Sequence, residues 1–185
     1  MRRSLFALVL VVVITVLLGG MLVACSGGGK GGGDNRVLRG LANVNAATTA
    51  GRVATCYMQD SSSELLTDTS GSLARSPSGW QDEPWTCPWP RSAGENLWAL
   101  VAYNDLNHNN RLDGEAEFLG GSNLFLQRQS TGEFVMVDMV NNPGVIAYDD
   151  PTKVSIYINC VNAQRGRTGM TLLLSRLQAI QALLR

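Results

Sequence analysis

Leu97-Trp98-Ala99-Leu100-Val101-Ala102-Tyr103 is an unbroken apolar run between the polar residues Asn96 and Asn104. An uninterrupted run of this length reads as a strand covered on both faces. Outward from it, short β-type segments alternate with turn chemistry. Val37–Val44 and Arg52–Met58 flank an Ala/Thr/Gly stretch, and Phe118-Leu119 and Leu124–Leu126 surround Gly120-Gly121. Phe134–Val140 ends at Asn141-Asn142-Pro143-Gly144, a strong turn signal. Val154, Ile156 and Ile158 alternate with Ser155, Tyr157 and Asn159, the period of a half-buried strand. About seven short strands punctuated in this way predict a mainly β fold, an antiparallel β-sandwich or a partly open barrel.

The period changes at the C-terminus. Met170, Leu173, Leu174, Leu177, Ile180 and Leu184 fall on one helical face, with Thr171, Ser175, Gln178 and Arg185 opposite. The pattern predicts an amphipathic helix over residues 170–185 that closes one side or end of the sheet. Two other readings stand beside it. Met170–Leu174 could pair as a strand with Val154–Cys160, leaving only Arg176–Arg185 helical, or the helix could serve as an interfacial membrane or partner-binding segment. Its short polar face, poor in lysine, argues for core cover.

Residues 60–95 read as the irregular part, rich in Ser, Thr, Gly and Pro and then in tryptophan. Pro84, Pro88 and Pro90 exclude a central strand or a helix there. Trp80, Trp85 and Trp89 have two readings. They could line a platform for a sugar ring or a peptide, or they fold back over the sheet while Cys87 staples the loop. The second is favoured, since so irregular a loop needs packed aromatics of its own. Cys56, Cys87 and Cys160 allow one disulfide among them and leave one thiol over, and spacing does not choose the pair. No Cys/His spacing suits zinc.

The N-terminus is built as an export signal. Arg2 and Arg3 precede an apolar run from Leu5 to Leu18 broken only by Thr15, after which come Gly19-Gly20 and Leu22-Val23-Ala24-Cys25. This ending resembles the lipobox of bacterial lipoproteins. The resemblance implies removal of residues 1–24, a diacylglyceryl thioether and further acylation on Cys25, and a membrane as the partner of that lipid. The competing reading, an uncleaved transmembrane helix over residues 5–24, fits the glycines and the lipobox less well. Ser26 stands where inner-membrane lipoproteins of two-membrane bacteria tend to carry Asp, which points to the outer membrane in such a cell. Residues 25–35, with six Gly among Cys25, Ser26, Lys30, Asp34 and Asn35, are expected to form a flexible tether spanning on the order of 17 Å. They do not make a phosphate loop, since no strand precedes them and no helix opening on Lys-Ser/Thr follows. Residues 36–185 remain as a single extracytoplasmic β-rich domain.

The stretch richest in chemistry follows the apolar strand. Asp105, Asn107 and Asn109 stand at alternate places, then Arg111, Asp113, Glu115 and Glu117. From Asp105 this DxNxNxxxD pattern resembles EF-hand-type calcium loops, and more closely the helix-free versions of bacterial surface β-domains and dockerins. Oxygen donors at loop places one, three and five wrap one side of a hard cation, a carbonyl at seven adds another, and an acid closes the shell. The resemblance assigns the first three places to Asp105, Asn107 and Asn109, the carbonyl to Arg111 and place nine to Asp113. Leu112 is the apolar anchor, and Asn110 replaces the usual Gly at six, a place Asn can fill by entering the left-handed region. At place twelve Ala116 stands between Glu115 and Glu117, so either acid could close a Ca2+ site of weak, extracellular affinity. The bland reading is an Asn/Asp-rich hairpin loop held by side-chain to backbone hydrogen bonds. The segment Leu97–Gly121 also resembles transthyretin-like and surface-repeat β-sandwiches, which implies architecture alone.

Catalytic equipment is sparse. The chain has one histidine, His108, at the variable fourth place of that loop, and neither GxSxG nor HExxH. Carboxylates such as Asp138, Asp149 and Asp150 could form an acid/base pair, but nothing in the spacing selects them. The formal net charge is +0, with no basic footprint for nucleic acid. No catalytic residue is assigned. The expected class is a non-catalytic, membrane-anchored structural or ligand-binding lipoprotein stabilised by Ca2+. The alternatives are a module for cell-wall glycan or another envelope protein using Trp80, Trp85 and Trp89, and a carboxylate-based hydrolase.

Overall fold

In the computed structural model, β5 (Leu97–Asn104) is buried along its whole apolar length. Residues 35–59, 64–138, 146–148, 151–161 and 165–184 are described. All lie in the unit Asp34–Arg185. The signal segment, Cys25 and the turn Asn141–Gly144 fall outside the described residues.

The other strands are β1 (Val37–Asn45), β2 (Gly51–Met58), β3 (Leu65–Ser72), β4 (Trp80–Pro88), β6 (Phe118–Arg128), β7 (Phe134–Asp138), β8 (Ile146–Tyr148) and β9 (Ile156–Asn159). A 3-10 turn (Pro151–Lys153) precedes β9, and α1 (Gly166–Leu183) ends the domain. The protein is mainly β with one C-terminal helix, as the sequence predicts. The strands form one nine-stranded sheet in the order β3-β2-β5-β6-β9-β1-β4, with β7 beside β6 and β8 beside β7. Not every pairing is antiparallel, because β1 and β9 run parallel in the register Gly40↔Ile156 to Asn43↔Asn159. Such a pairing joins strands far apart in the chain, and no local turn signal announces it.

Residues 60–95 are less irregular than their composition suggests, since they contain β3 and β4. The prolines do not prevent β4, because it is the last strand of the order and pairs along its full length with β1 only. A terminal strand tolerates residues without an N–H. Its far side meets β3 at the bridge Leu73↔Trp85, where the Ala74 N–H donates to the Pro84 carbonyl at 3.0 Å. The sheet is thereby curled toward closure, as a part-open barrel. Two glycines make its seams. A Cβ on Gly71 would stand 1.9 Å from the Thr86 carbonyl oxygen, and one on Gly120 would stand 2.3 Å from that of Asn159. Only a residue without a side chain allows these approaches.

Two apolar layers result. Leu38 and Val44 of β1, Trp85 of β4, Trp98 and Leu100 of β5, and Ile156 and Ile158 of β9 fill the space between the two halves of the curled sheet. On the outer side, Ala99, Val101 and Tyr103 of β5 and Phe125 of β6 meet Leu173, Leu177 and Ile180 of α1. β5 contributes alternate residues to each layer, which is why its sequence has no polar face. The helix starts at Gly166, one turn before the expected Met170, and Met170–Leu174 is helical rather than a strand. Arg165 precedes it with extended backbone and no side-chain cap, so the usual sequence signal for a helix start is missing.

Candidate functional site

The loop from Asp105 to Glu117 connects β5 to β6 and is tied at both ends. At its entrance the Asp105 N–H donates to the Ala50 carbonyl at 3.0 Å, and Asn104 Oδ1 accepts from the Ala50 N–H at 2.9 Å. At its exit the Asn104 N–H donates to the Glu117 carbonyl at 2.8 Å. Between them, Leu112 is buried in the layer under α1, and its N–H donates to Thr67 Oγ1 of β3 at 2.9 Å. The expected apolar anchor is therefore in place.

Asp105 is nearly fully buried at 2% exposure. Its Oδ1 accepts from the Asn109 N–H and its Oδ2 from the Asn110 N–H, each at 3.0 Å. Asn107 Oδ1 accepts from Asn109 N–H at 3.2 Å, and Asn109 Oδ1 accepts from Arg111 N–H at 2.8 Å. The amide nitrogens of Asn107 and Asn109 both donate to Asp113 Oδ2, the first at 2.6 Å. These two bonds hold the Asp113 carboxyl below its usual pKa, with the nearby Arg111 guanidinium adding a smaller pull. Places one, three, five and nine of the calcium pattern thus converge on one small space. Asn110 has the left-handed backbone expected where Gly is usual, with φ 63°. His108 shares it at φ 60° and is exposed. A residue with a Cβ gives up roughly 1 kcal/mol there, so the loop's other bonds must hold it.

The two acids around Ala116 part company. Glu117 is buried, and its Oε1 and Oε2 accept from the N–H groups of Leu106 and Asp113, both at 2.9 Å. Glu115 is exposed and lies 3.6 Å from Arg167 Nε of α1. Of the two candidate closing acids, Glu117 is the one turned into the loop. The oxygen-rich set of Asp105, Asn107, Asn109, Asp113 and Glu117, with the Arg111 carbonyl, is hard-donor chemistry suited to Ca2+. Each of its carboxylates also accepts hydrogen bonds from within the loop.

Other side chains that the sequence does not single out frame this loop. Arg52 Nε of β2 lies 4.0 Å from Asp105 Oδ2 and donates to Ser70 Oγ at 2.8 Å. Three cavities adjoin the loop. One of about 440 Å³ lies between Tyr57, Leu66, Leu112 and Met170, and one of about 430 Å³ lies between Arg52, Ser70, Arg91 and Arg111. A third, of about 290 Å³, is lined by Thr49, Arg52, Asp105 and His108.

The tryptophans do not form a common platform. Trp85 and Trp89 are buried at 2% and 1% exposure, and only Trp80 is open, at 41%. Trp89 packs edge-on against Phe134 at 4.8 Å between ring centroids, under the Arg36 guanidinium at 4.1 Å. The Arg165 guanidinium lies 4.9 Å from the Trp80 ring centroid. Trp85 and Trp89 are drawn inward because the interior of the barrel needs large apolar side chains, and these offer the most area.

Cys56, Cys87 and Cys160 are free thiols, all buried. Cys56 lies in the layer under α1, while Cys87 and Cys160 lie inside the barrel. Cys87 faces Leu38 at the start of β1, whereas Cys160 follows Asn159, the partner of Asn43 near its end. Along a strand that spacing is on the order of 15 Å, beyond the reach of a disulfide. No pair among the three is bonded in the structure. Burial pushes the thiols of Cys56 and Cys160 up to about 12 and that of Cys87 to about 11.

Among the carboxylates considered for acid/base work, Asp138 ends β7, and Asp149 and Asp150 lie outside the described residues. Among the described residues no group of three or more His, Cys, Asp and Glu side chains is drawn close enough to hold a metal by itself, so a cation in the loop would depend on amide and carbonyl oxygens too. No described helix is long and apolar enough to cross a membrane. No family model, no curated protein and no solved structure matches this chain.

Proposed function

We propose that this chain is a lipid-anchored extracytoplasmic lipoprotein of non-catalytic type, whose barrel presents a calcium-stabilised loop. The observation that carries the anchoring is the order of segments in the sequence: a charged n-region, an apolar run, Leu22-Val23-Ala24-Cys25, and a glycine tether that leads directly to β1. Lipid on Cys25 would supply the membrane attachment. In the loop, Asp105, Asn107, Asn109, Asp113 and the Arg111 carbonyl would hold Ca2+. Glu117, the acid turned into the loop, would close the shell, while Glu115 faces Arg167. The cation would exchange internal hydrogen bonds for metal bonds and make the β5–β6 connection rigid. Its role would be structural, making the hairpin rigid rather than sensing calcium.

Two measurements test the proposal. Labelled palmitate should enter the wild-type chain and be absent from Cys25→Ser, which should keep residues 1–24. Labelling of that variant, or none in wild type, overturns the anchor. A calcium titration followed by melting temperature should raise the wild-type Tm, by an amount worth about 2.7 kcal/mol at a hundred times Kd. An unchanged wild-type Tm, or an equal rise in Asp105→Ala with Asp113→Ala, overturns the calcium site.

A further inference from the structure

Three arginines and one carboxylate, Asp68, line the cavity of about 430 Å³ beside the loop. Arg52 of β2, Arg91 after β4 and Arg111 of the loop all line it, together with Ser70, Asn109 and Asn110. Three distant stretches of chain therefore converge on one opening. Guanidinium groups do not lose their charge, and like charges brought together without compensation disfavour the fold. The protein compensates this charge in part, with Asp68 in the lining and Asp105 and Asp113 beside it. Asp68 lines the same cavity, but its carboxylate is engaged by the N–H of Arg91 at 2.9 Å, the N–H of Ser92 at 3.1 Å and Ser92 Oγ at 2.9 Å. Asp105 is engaged by Asn109 and Asn110, and its ion-pair distance to Arg52 is a long 4.0 Å. Asp113 accepts from the amides of Asn107 and Asn109 and also feels the nearby Arg111 guanidinium.

The geometry also fixes one of the cations in advance. Arg52 Nε donates to Ser70 Oγ at 2.8 Å, and Ser70 Oγ in turn shares a hydrogen bond with the Tyr103 hydroxyl at 2.8 Å. Tyr103 is fully buried, so this chain ties Arg52 to the core. Arg91 and Arg111 are exposed at the rim, free to adjust to what enters. One anchored guanidinium with two adjustable ones is the arrangement that captures an anion with several oxygens.

We infer that the cleft between β3, the segment after β4 and residues 109–111 binds a phosphate group, held by Arg52, Arg91 and Arg111. Three cations approaching from different stretches of chain match a tetrahedral, multiply charged anion better than a planar carboxylate, which one fork satisfies. The cavity is larger than inorganic phosphate alone requires, so a phosphate carried on a small organic group fits. Such a group could come from a free phosphomonoester or from a phosphodiester headgroup at a membrane surface.

The test uses the full chain in nonionic detergent and calcium-free buffer, so that it stands apart from any cation in the loop. Equilibrium dialysis with labelled orthophosphate should show saturable binding. Arg91→Gln with Arg111→Gln should weaken it at least about tenfold while leaving Tm unchanged, since both side chains are exposed. Competition then separates the sources. Glycerol 3-phosphate displacing the label better than glycerophosphoglycerol identifies a phosphomonoester, and the reverse order identifies a lipid headgroup. Either result supports the site. Absence of saturable binding, equal binding by the double variant, or displacement by acetate as effective as by phosphate overturns it. If the double variant loses Tm, Arg91→Lys with Arg111→Lys decides: retained charge must restore most of the binding, and failure to do so counts against the site.

Discussion

The sheet has two outer faces with opposite fates. Over β5 and β6 it lies under α1, and β5 is buried at every apolar residue. Over β4, β1 and β9 no described element covers it, and β1 alternates strictly between buried and open residues over Val37–Ala42. On this bare face Leu41 and Tyr157 stay 39% and 46% exposed. Polar bonds do the work that packing does elsewhere: Asn43 Nδ2 and the Tyr157 hydroxyl both donate to Asp82 Oδ1 at 2.9 Å, which holds the Asp82 carboxyl below its usual pKa. The difference teaches that the period of a strand's sequence reports how many of its faces are covered, and not where in the sheet it stands.

The contrast predicts a gradient of mutational cost. The largest effect belongs under the helix, where Leu177 is fully buried. Leu177→Ala should cost about 2–5 kcal/mol in urea unfolding, and a loss under 1 kcal/mol would mean that α1 contributes little cover. Next comes the loop whose Leu112 joins that covered layer. Glu117→Ala leaves the N–H groups of Leu106 and Asp113 without their acceptor. Stability should fall by about 1–3 kcal/mol, with faster amide exchange at those two residues; unchanged exchange would break the assignment.

The buried thiols add a pH effect, and none of them lies on the bare face. Their pKa values rise on folding from 9.0 to about 11 for Cys87 and about 12 for Cys56 and Cys160. Below pH 9 both folded and unfolded chains keep the protons. Above it only the unfolded chain releases them, so their contribution is lost as pH rises from 9 toward the folded values. Each thiol should cost roughly 1 kcal/mol per pH unit in that window. Stability equal at pH 8 and pH 10, or rapid alkylation of the native protein at pH 8, would sink this. Smallest of all, Leu41→Ala on the bare face should stay within about 0.5 kcal/mol of wild type, and a cost above 2 kcal/mol would reveal a cover for that face.

Much of the fold is legible in the chain. β1, β2, β5 and β9 follow from apolar period, and α1 from its stripe, with the start displaced by a turn because Arg165 supplies no cap. β3 and β4 are not legible, because Ser, Thr and Asp in β3 and Pro in β4 score as loop wherever the partner strand is unknown. Gly120 reads as a break between two short strands, yet it lies inside the single strand β6, where it admits the Asn159 carbonyl. Packing of Trp85 and Trp89 is the reading the sequence favours, and both are buried, although in a strand and its exit rather than in an irregular loop. In the loop, the donor pattern from Asp105 to Asp113 is readable because its bonds join neighbours in sequence. Arg52, Ser70 and Arg91 are not, since they come to it from other strands.

The sequence by itself determined the mainly β class, the closing helix, the double burial of β5 and the convergence of Asp105, Asn107, Asn109 and Asp113. These depend on side chains within a few residues of one another, where period and spacing act directly. Only the tertiary structure decided the parallel β1–β9 pairing, the glycine seams, the separation of Cys87 from Cys160, the inward turn of Glu117 against the outward one of Glu115 and the gathering of three arginines. Each of these depends on which distant segment arrives as a neighbour, and that is settled by the curl of the whole sheet around its apolar interior.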